Sequence, residues 1–316
     1  MAGVITKKQR AHRIGNVLSF IFLFRFVTVK HLNLFSATRL DVNDIRRTIE
    51  YLVNHKLIKG FKISNPVKTT GYYLLDRGLA RLPDSLLKYK YSFWPVRFRL
   101  GTFEHDKGLV EAFIWIQKAA TKGYWISEWM IRQDKVKASG KTGMGLGVHQ
   151  RSVLRGRMPD GMFVVGQKVR IAVEFEDTRR NVTAWAELVR DLEYRMKASK
   201  KIDPGTSDIV TGRDFEAVLF VFKDKQTFSI YRKRFNSCLE SGKVGGQKIK
   251  ETNPHRFFFA TLDHLKEAKV YGAGLEETTL KDLFSFVEND GVLLRAIPSP
   301  GIKPPAPAGD QYKLNF

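Results

Sequence analysis

The chain has 316 residues, of which 43% are hydrophobic, enough for more than one globular domain with its own core. Its formal net charge is +22, concentrated in residues 1–100, which hold 19 Lys and Arg against 5 Asp and Glu. That third predicts a polyanionic partner, either nucleic acid or an anionic membrane. The single Cys238 excludes a disulfide framework and a Cys-rich zinc site, and it is typical of a reducing cytoplasm.

The most apolar stretch is VLSFIFLFRFVTV, residues 17–29. It is too short to cross a bilayer, it contains Arg25, and it lacks the small-residue cleavage site of a signal peptide. The sequence therefore predicts a cytoplasmic protein without a membrane partner, associated with the nucleoid or with a plasmid if its partner is DNA.

The first third of the chain predicts three helices and a hairpin. Apolar residues recur with helical spacing between residues 10 and 24, a second helix follows Thr28, and a third begins near Asn43. Residues 58–78 then predict two short strands around an Asn-Pro turn, leading into another helix. Three helices and a basic hairpin form a winged helix-turn-helix, which we expect over residues 1–87.

The basic side chains of this segment suit double-stranded DNA. Arg46 and Arg47 lie near the start of the third helix, where such helices reach base edges in the major groove. Lysines of the hairpin would contact phosphates, which contribute affinity but little sequence information. The predicted DNA-binding residues are Arg46, Arg47, Lys59, Lys62 and Lys68. The alternative is a winged helix that binds protein, with both arginines merely solvated.

A second domain is predicted over residues 101–296, after a linker at 88–100. It begins with a helix over residues 104–119, followed by a strand in YWISEWMI (residues 124–131) and a basic, Gly-rich loop. The loop contains Gly-Lys-Thr, but Lys135 stands where a phosphate-binding P-loop needs its first Gly. A P-loop is therefore excluded.

Two strand-like segments of this domain carry three carboxylates. MPDGMFVV and VRIAVEFE are predicted as adjacent strands joined by a turn. Alternation along the second strand puts Glu174 and Glu176 on one face, and pairing about the turn brings Asp160 to the same end. Mg²⁺ and Mn²⁺ prefer such oxygen ligands, activate water and stabilise charge on a scissile phosphate. We expect these three residues to bind the metal and to be catalytic.

This pattern resembles the PD-(D/E)XK nuclease superfamily: Pro-Asp, fourteen positions from Asp160 to Glu174, then Glu-Phe-Glu. Glu176 stands where the superfamily pattern has Lys, and some members use Glu there. The substitution removes the usual water-activating cation. Candidate replacements for that cation are Lys168, Arg190 and Lys197.

The residues alone also allow a purely structural interpretation of the same segment. An Asp before a Gly is a common turn, and alternating Glu residues are typical of a solvent-facing strand edge. However, two Glu on one face repel each other unless a cation lies between them.

The order of elements also resembles the replication-relaxation protein family of plasmids and integrative elements, over roughly residues 10 to 265. The likeness includes the segment GTFEHDKGLVEAF and the later strand-like segments EAVLFVF and HRFFFATLDHL. It implies an accessory DNA-binding factor in plasmid replication or mobilisation, which works beside other replication or mobilisation proteins. The end-cleaving endonuclease subunit of multi-protein transposons shares the nuclease superfamily fold and is the rival.

The last residues, 297–316, predict an extended or disordered Pro-rich tail. Its end, QYKLNF, resembles a peptide that binds the bacterial sliding clamp, in which Gln311, Leu314 and Phe316 would dock into a clamp pocket. The alternative is an apolar tip that covers the protein's own surface.

Together these features predict an α+β or α/β protein, a winged helix-turn-helix followed by a PD-(D/E)XK-like mixed-sheet domain. The expected function is DNA binding for a plasmid or other mobile element, in replication, mobilisation or transposition, with Mg²⁺-dependent DNA cleavage in its active version. The alternatives are a catalytically inactive scaffold and a transcriptional regulator that binds DNA through the winged helix.

Overall fold

The computed structural model describes residues 7–36, 42–63, 69–82, 86, 102–120, 123–131, 159–165, 169–178, 180–196, 199–202, 209–212, 215–241, 243–244, 247–248, 256–273 and 276–288. Contacts divide them into two compact units, an N-terminal unit up to Ile114 and a C-terminal unit from Trp115 onward. Both contain helices and strands, so the expected α+β class is confirmed. The linker predicted at 88–100 lies outside the described residues.

The N-terminal unit combines helices with a small antiparallel sheet, and its division from the C-terminal unit falls within the fifth helix. The helices are α1 (Lys7–Phe24), α2 (Val29–Ser36), α3 (Val42–Asn54), the short α4 (Asp76–Leu79) and α5 (Phe103–Ala119). The strands are β1 (Val27–Thr28), β2 (Ile58–Ile63) and β3 (Thr69–Leu74), in the order β1-β3-β2. The predicted helices and hairpin of this region are therefore confirmed as elements.

Phenylalanine rings connect three helices in the core of the N-terminal unit. Phe20 of α1 stacks on Phe35 of α2 with ring centroids 4.8 Å apart. Phe113 of α5 lies 5.0 Å from Phe24 and 5.8 Å from Phe20. Aromatic pairs of this kind contribute about 0.5–1.5 kcal/mol each beyond the area they bury.

Among the described residues, no helix has the length and hydropathy needed to cross a bilayer.

A seven-stranded mixed sheet organises the C-terminal unit, in the order β14-β13-β12-β9-β6-β5-β4. β6 pairs in parallel with β9, and β9 with β12, while the other neighbours are antiparallel. The strands are β4 (Gly123–Ser127), β5 (Gly161–Val165), β6 (Val169–Glu176), β7 (Ser199–Ile202), β8 (Ile209–Gly212), β9 (Ala217–Phe222), β10 (Lys243–Val244), β11 (Gln247–Lys248), β12 (Phe257–Thr261), β13 (Lys269–Gly272) and β14 (Glu277–Thr279). The remaining four strands form the separate pairs β7-β8 and β10-β11.

Helices cover both faces of this sheet. They are α6 (Val182–Met196), α7 (Lys225–Ser241), α8 (Leu262–Lys266) and α9 (Leu280–Glu288). On one face, Trp185 of α6 packs on Phe220 at 4.7 Å, and Tyr231 of α7 packs on Phe222 at 5.2 Å. On the other face, the ring centroid of Phe284 of α9 lies 5.8 Å from that of Phe163 of β5. The sheet is therefore the middle layer, and the strand-like segments EAVLFVF and HRFFFATLDHL supply its paired strands β9 and β12.

One predicted strand is shorter than expected. YWISEWMI was expected to be extended throughout, but β4 ends at Ser127 and residues 128–131 form a helical turn. The last paired residues are Ser127 and Gly161, the first residue of β5. One residue further, the Glu128 N–H donates to the Asp160 carbonyl oxygen at 3.2 Å as the chain turns into the helical segment.

Two helices begin with the same reciprocal cap, Thr-x-x-His. At the start of α2, the Thr28 N–H donates to His31 Nδ1 at 3.3 Å, and the His31 N–H donates to Thr28 Oγ1 at 3.2 Å. Thr261 and His264 repeat this arrangement at the start of α8, with 3.2 and 3.1 Å. Because the ring nitrogen accepts a hydrogen bond, the cap requires a neutral imidazole.

His31 makes the stability of the N-terminal unit sensitive to acid. Burial, and then the charges of Lys30 and Lys107, lower the pKa of His31 from 6.5 to about 3. The folded state therefore resists a proton that the unfolded chain accepts below pH 6.5. The stabilisation is complete above about pH 6.5 and falls by about 1.4 kcal/mol per pH unit from there towards pH 3.

We predict that the difference in free energy of unfolding between the wild type and His31→Gln shrinks as the pH falls from 7 to about 4. The Gln amide can still accept from the Thr28 N–H but does not titrate, so titrations common to both proteins cancel. Urea unfolding at several pH values, followed by circular dichroism, measures this difference. A difference that stays constant over that range would show that His31 is not the titrating group.

Candidate functional site

The hairpin of β5 and β6 brings Asp160 beside the two glutamates. Gly161 pairs with Val173, so Asp160 follows β5 at the level of Glu174. The Asp160 Oδ2 atom accepts a hydrogen bond from the backbone N–H of Phe175 at 2.8 Å. The expected convergence of the three carboxylates on one end of the hairpin is therefore present in the fold.

Both glutamates are buried, which contradicts the alternative of a solvent-facing strand edge. β6 lies between β5 and β9, and Glu174 and Glu176 are each only 2% exposed. Their partners in β9 are Phe220 and Phe222, the residues on which α6 and α7 pack. Carboxylates in such a position need a cation or donors, because burying an isolated charge costs many kcal/mol.

The cation is Arg180, in the segment between β6 and α6. Its Nε atom lies 2.7 Å from each oxygen of Glu176, and its Nη2 atom lies 2.7 Å from Glu176 Oε1. The guanidinium therefore contacts both carboxylate oxygens, with the Glu176 side chain 3% exposed and that of Arg180 20% exposed. Removing one partner of such a buried pair typically costs about 3–5 kcal/mol, because the other charge is left unpaired.

The other two carboxylates also interact electrostatically with Arg180. Burial acts to lower the pKa of Arg180, but the hydrogen bonds and charge of Glu176, together with the charges of Glu174 and Asp160, raise it above its ordinary value. Arg180 is thus firmly charged and offsets part of the negative charge of all three residues.

Helix α7 fixes the segment that carries Arg180. The Tyr231 hydroxyl accepts from the Arg180 N–H and donates to the Thr178 carbonyl oxygen at 3.2 Å. One turn further on, Arg234 Nη1 donates to the Arg180 carbonyl oxygen at 2.8 Å. Burial raises the pKa of Tyr231, which keeps its hydroxyl protonated as this donor requires. The arginine is held in place by three hydrogen bonds to the backbone around it.

The residues before and after Asp160 have steric roles. Gly161 lies under the Trp125 indole, and a Cβ atom at this position would come within 2.0 Å of Trp125 Cζ2. Pro159 is buried. Asp160 and Gly161 therefore each have a structural explanation, the first as a hydrogen-bond acceptor and the second as a residue without a Cβ atom.

The three carboxylates do not fit a divalent ion in the present arrangement. Both oxygens of Glu176 are taken by Arg180, and Asp160 Oδ2 is taken by the Phe175 N–H. Within the part of the chain that the structure describes, no group of three or more His, Cys, Asp or Glu residues is placed to hold a metal ion. Mg²⁺ or Mn²⁺ would have to displace the guanidinium in order to use Glu176.

None of the three cations that the sequence suggested is the partner of Glu176 seen here. Lys168 and Lys197 lie outside the described residues, and Arg190 is exposed on α6. Arg180 was missed, although its signal was present: an arginine four positions after Glu176, where the chain leaves the strand.

Two of the predicted DNA-binding residues lie on the exposed face of α3. Arg46 and Arg47 are exposed on α3, while Ile45, Ile49 and Leu52 are buried beneath them. The exposed side chains of this face of α3 are Asn43, Arg46, Arg47, Glu50, Val53 and Asn54.

Other charged contacts orient the start of this helix. Asp44 lies 3.1 Å from Arg13 of α1 and 4.0 Å from Arg47.

Lys59 and Lys62 are exposed on β2. Lys68 lies outside the described residues, as do Gln311, Leu314 and Phe316 of the tail.

Comparison with protein-family models, curated proteins and solved structures finds no match to this chain. Arguments about function therefore depend on the residues and contacts described above.

We predict that Tyr231→Phe destabilises the C-terminal unit by about 1–3 kcal/mol, because the Arg180 N–H and the Thr178 carbonyl lose a buried partner. Tyr271→Phe is the matched control, since its hydroxyl bonds to Glu277 at an exposed site, and it should change stability by less than about 0.5 kcal/mol. Chemical unfolding of the three proteins measures the difference. Equal stabilities would contradict the role assigned to the Tyr231 hydroxyl.

Proposed function

We propose that this chain is a DNA-binding accessory protein of a plasmid or other mobile element, acting in replication, mobilisation or transposition. Its N-terminal unit would be a winged helix-turn-helix that binds double-stranded DNA. The observation that carries the proposal is the exposed polar and basic face of α3 over a buried apolar face. Binding to the DNA of a mobile element implies a cytoplasmic protein associated with a plasmid or the nucleoid.

The chemistry of that face suits base edges in the major groove. Arg46 and Arg47 can each donate two hydrogen bonds to guanine, and Asn43 and Asn54 have the amide geometry that pairs with adenine. Glu50 can accept from the amino group of cytosine. Lys59 and Lys62 of β2 would add phosphate contacts, and such contacts make DNA binding dependent on the salt concentration.

The C-terminal unit would be a PD-(D/E)XK-like domain that serves as a scaffold for holding DNA or docking a protein. What supports the scaffold is the contact of Arg180 with both oxygens of Glu176, which leaves that carboxylate with a partner in the absence of metal. A transcriptional regulator with an effector domain is a related possibility, and it would use the N-terminal unit in the same way.

Mg²⁺- or Mn²⁺-dependent DNA cleavage, as in an end-cleaving transposon endonuclease, is the second candidate. It is favoured by the position of Asp160 at the level of Glu174, two residues before Glu176, the last residue of β6. Those three residues would be the metal ligands. The guanidinium on Glu176 stands against it, and so do the ligand oxygens already engaged.

Binding of the sliding clamp by Gln311, Leu314 and Phe316 stays a prediction from the sequence. Such a contact would bring the chain to a replication fork through its Pro-rich tail, independently of α3.

We predict that Arg46→Ala/Arg47→Ala weakens binding to a specific double-stranded DNA by about tenfold or more, because each arginine that reads a base contributes about 1–3 kcal/mol. The matched control is Arg77→Ala/Arg81→Ala, which removes the same charge from exposed positions at and just after α4. Fluorescence anisotropy with a DNA selected from a random pool measures the affinities at two salt concentrations.

The control variant should retain most of the affinity and all of the sequence preference. If both double variants lose affinity equally, and do so for every DNA sequence, α3 is not the recognition helix and the effect is net charge alone.

We predict that the wild type leaves supercoiled and linear DNA intact with Mg²⁺ or Mn²⁺. The control variant for a positive result is Asp160→Asn rather than Ala, because the Asn amide oxygen still accepts from the Phe175 N–H and preserves the hairpin. Gel analysis of DNA nicking is the measurement. Nicking by the wild type that disappears in Asp160→Asn would replace the scaffold with the nuclease.

A further inference from the structure

The carboxylates of β6 create an electrostatic problem that the chain must solve internally. Glu174 and Glu176 point to the same face, each is 2% exposed, and Asp160 adds a third carboxylate at the same end. Like charges at this spacing disfavour ionisation of one another unless a cation lies among them. In metal-dependent sites of this chemistry, a divalent ion supplies that charge.

Here the charge is supplied by a side chain with well-defined geometry. Three nitrogen–oxygen contacts of 2.7 Å join the Arg180 guanidinium to Glu176. A planar guanidinium that contacts both oxygens of a carboxylate is the strongest form of this pairing. The charges of Glu174 and Asp160 reinforce it, as the raised pKa of Arg180 reflects.

The position of the guanidinium is also prepared by the fold. Tyr231 and Arg234 of α7 hold the backbone on both sides of Arg180 Cα, one through the N–H and the other through the carbonyl oxygen. The end of β6 is fixed as well, because the Lys223 N–H donates to the Glu176 carbonyl oxygen at 3.1 Å. The contacts of the fold therefore hold Arg180 in place at the end of β6.

We propose that Arg180 is the resident cation of the carboxylate cluster and that its guanidinium and a divalent metal ion are mutually exclusive partners of Glu176. A metal ion needs the same lone pairs that the guanidinium occupies, at the shorter distance of about 2.0–2.2 Å. Binding of one partner requires departure of the other. Glu176 is thereby kept paired and closed to metal.

Mn²⁺ binding tests this without DNA, so the outcome is independent of recognition by α3. The proteins compared are the wild type, Arg180→Met, Arg180→Met/Glu176→Gln, and Lys233→Met, which removes one exposed charge from α7 as a control. Free Mn²⁺ is followed by electron paramagnetic resonance during titration. Arg180→Met should bind one Mn²⁺ at least about tenfold more tightly than the wild type, a difference of about 1.4 kcal/mol.

Added Glu176→Gln should abolish that gain, and Lys233→Met should behave like the wild type. Thermal unfolding gives a second readout: Mn²⁺ should raise the melting temperature of Arg180→Met and leave that of the wild type unchanged. Wild-type Mn²⁺ binding as tight as that of Arg180→Met, or a gain in Arg180→Met that the added Glu176→Gln leaves in place, overturns the proposal.

Arg180→Lys covers the case in which Arg180→Met does not fold. Lysine retains a charge but cannot contact both carboxylate oxygens in one plane, so it should compete less well with the metal. Its Mn²⁺ affinity should exceed that of the wild type by severalfold, and equal affinities would refute the competition. Because neither readout involves DNA, loss of DNA binding in another experiment leaves this result unaffected.

Discussion

The ion pair of Glu176 and Arg180 is the contact on which the C-terminal unit depends. It allows a central strand to carry two buried carboxylates on the face that α6 and α7 cover with aromatic rings. Without a cation in that position, one glutamate would have to be neutral or the helices would have to move away from the sheet. The segment leading into α6 carries Arg180, and α7 holds that segment in place.

The N-terminal unit is organised on a different principle. Phenylalanines of α1, α2 and α5 pack against one another in its core, and Arg46 and Arg47 lie on its surface. The buried Thr28 and His31 cap α2 reciprocally, each accepting a hydrogen bond from the backbone N–H of the other. Such a core leaves α3 available to present polar side chains outward, which is the arrangement expected of a surface that contacts a polyanion.

Local pattern was enough to predict much of this architecture. Helical spacing identified α1 and α3, and alternation in VRIAVEFE put Glu174 and Glu176 on one face. The antiparallel pairing of β5 with β6 brings Asp160 to them. These features depend on neighbours within about twenty residues, so periodicity and turn position carry the necessary information.

What could not be predicted depends on distant partners. The burial of Glu176 follows from the pairing of β6 with β9, whose residue Phe222 lies far along the chain. The position of Arg180 depends on Tyr231, 51 residues later, so no local pattern shows where its guanidinium lies. Long-range packing also decided that the two glutamates face helices rather than solvent.

The structural roles of Asp160 and Gly161 have an evolutionary consequence. Aspartate accepts from a backbone N–H of the neighbouring strand, and glycine makes room for an indole. Selection for folding alone would retain both residues in a lineage that never cleaved DNA or had ceased to do so. The presence of Asp-Gly at this place in a related sequence is therefore a record of sheet architecture, whatever chemistry that sequence performs.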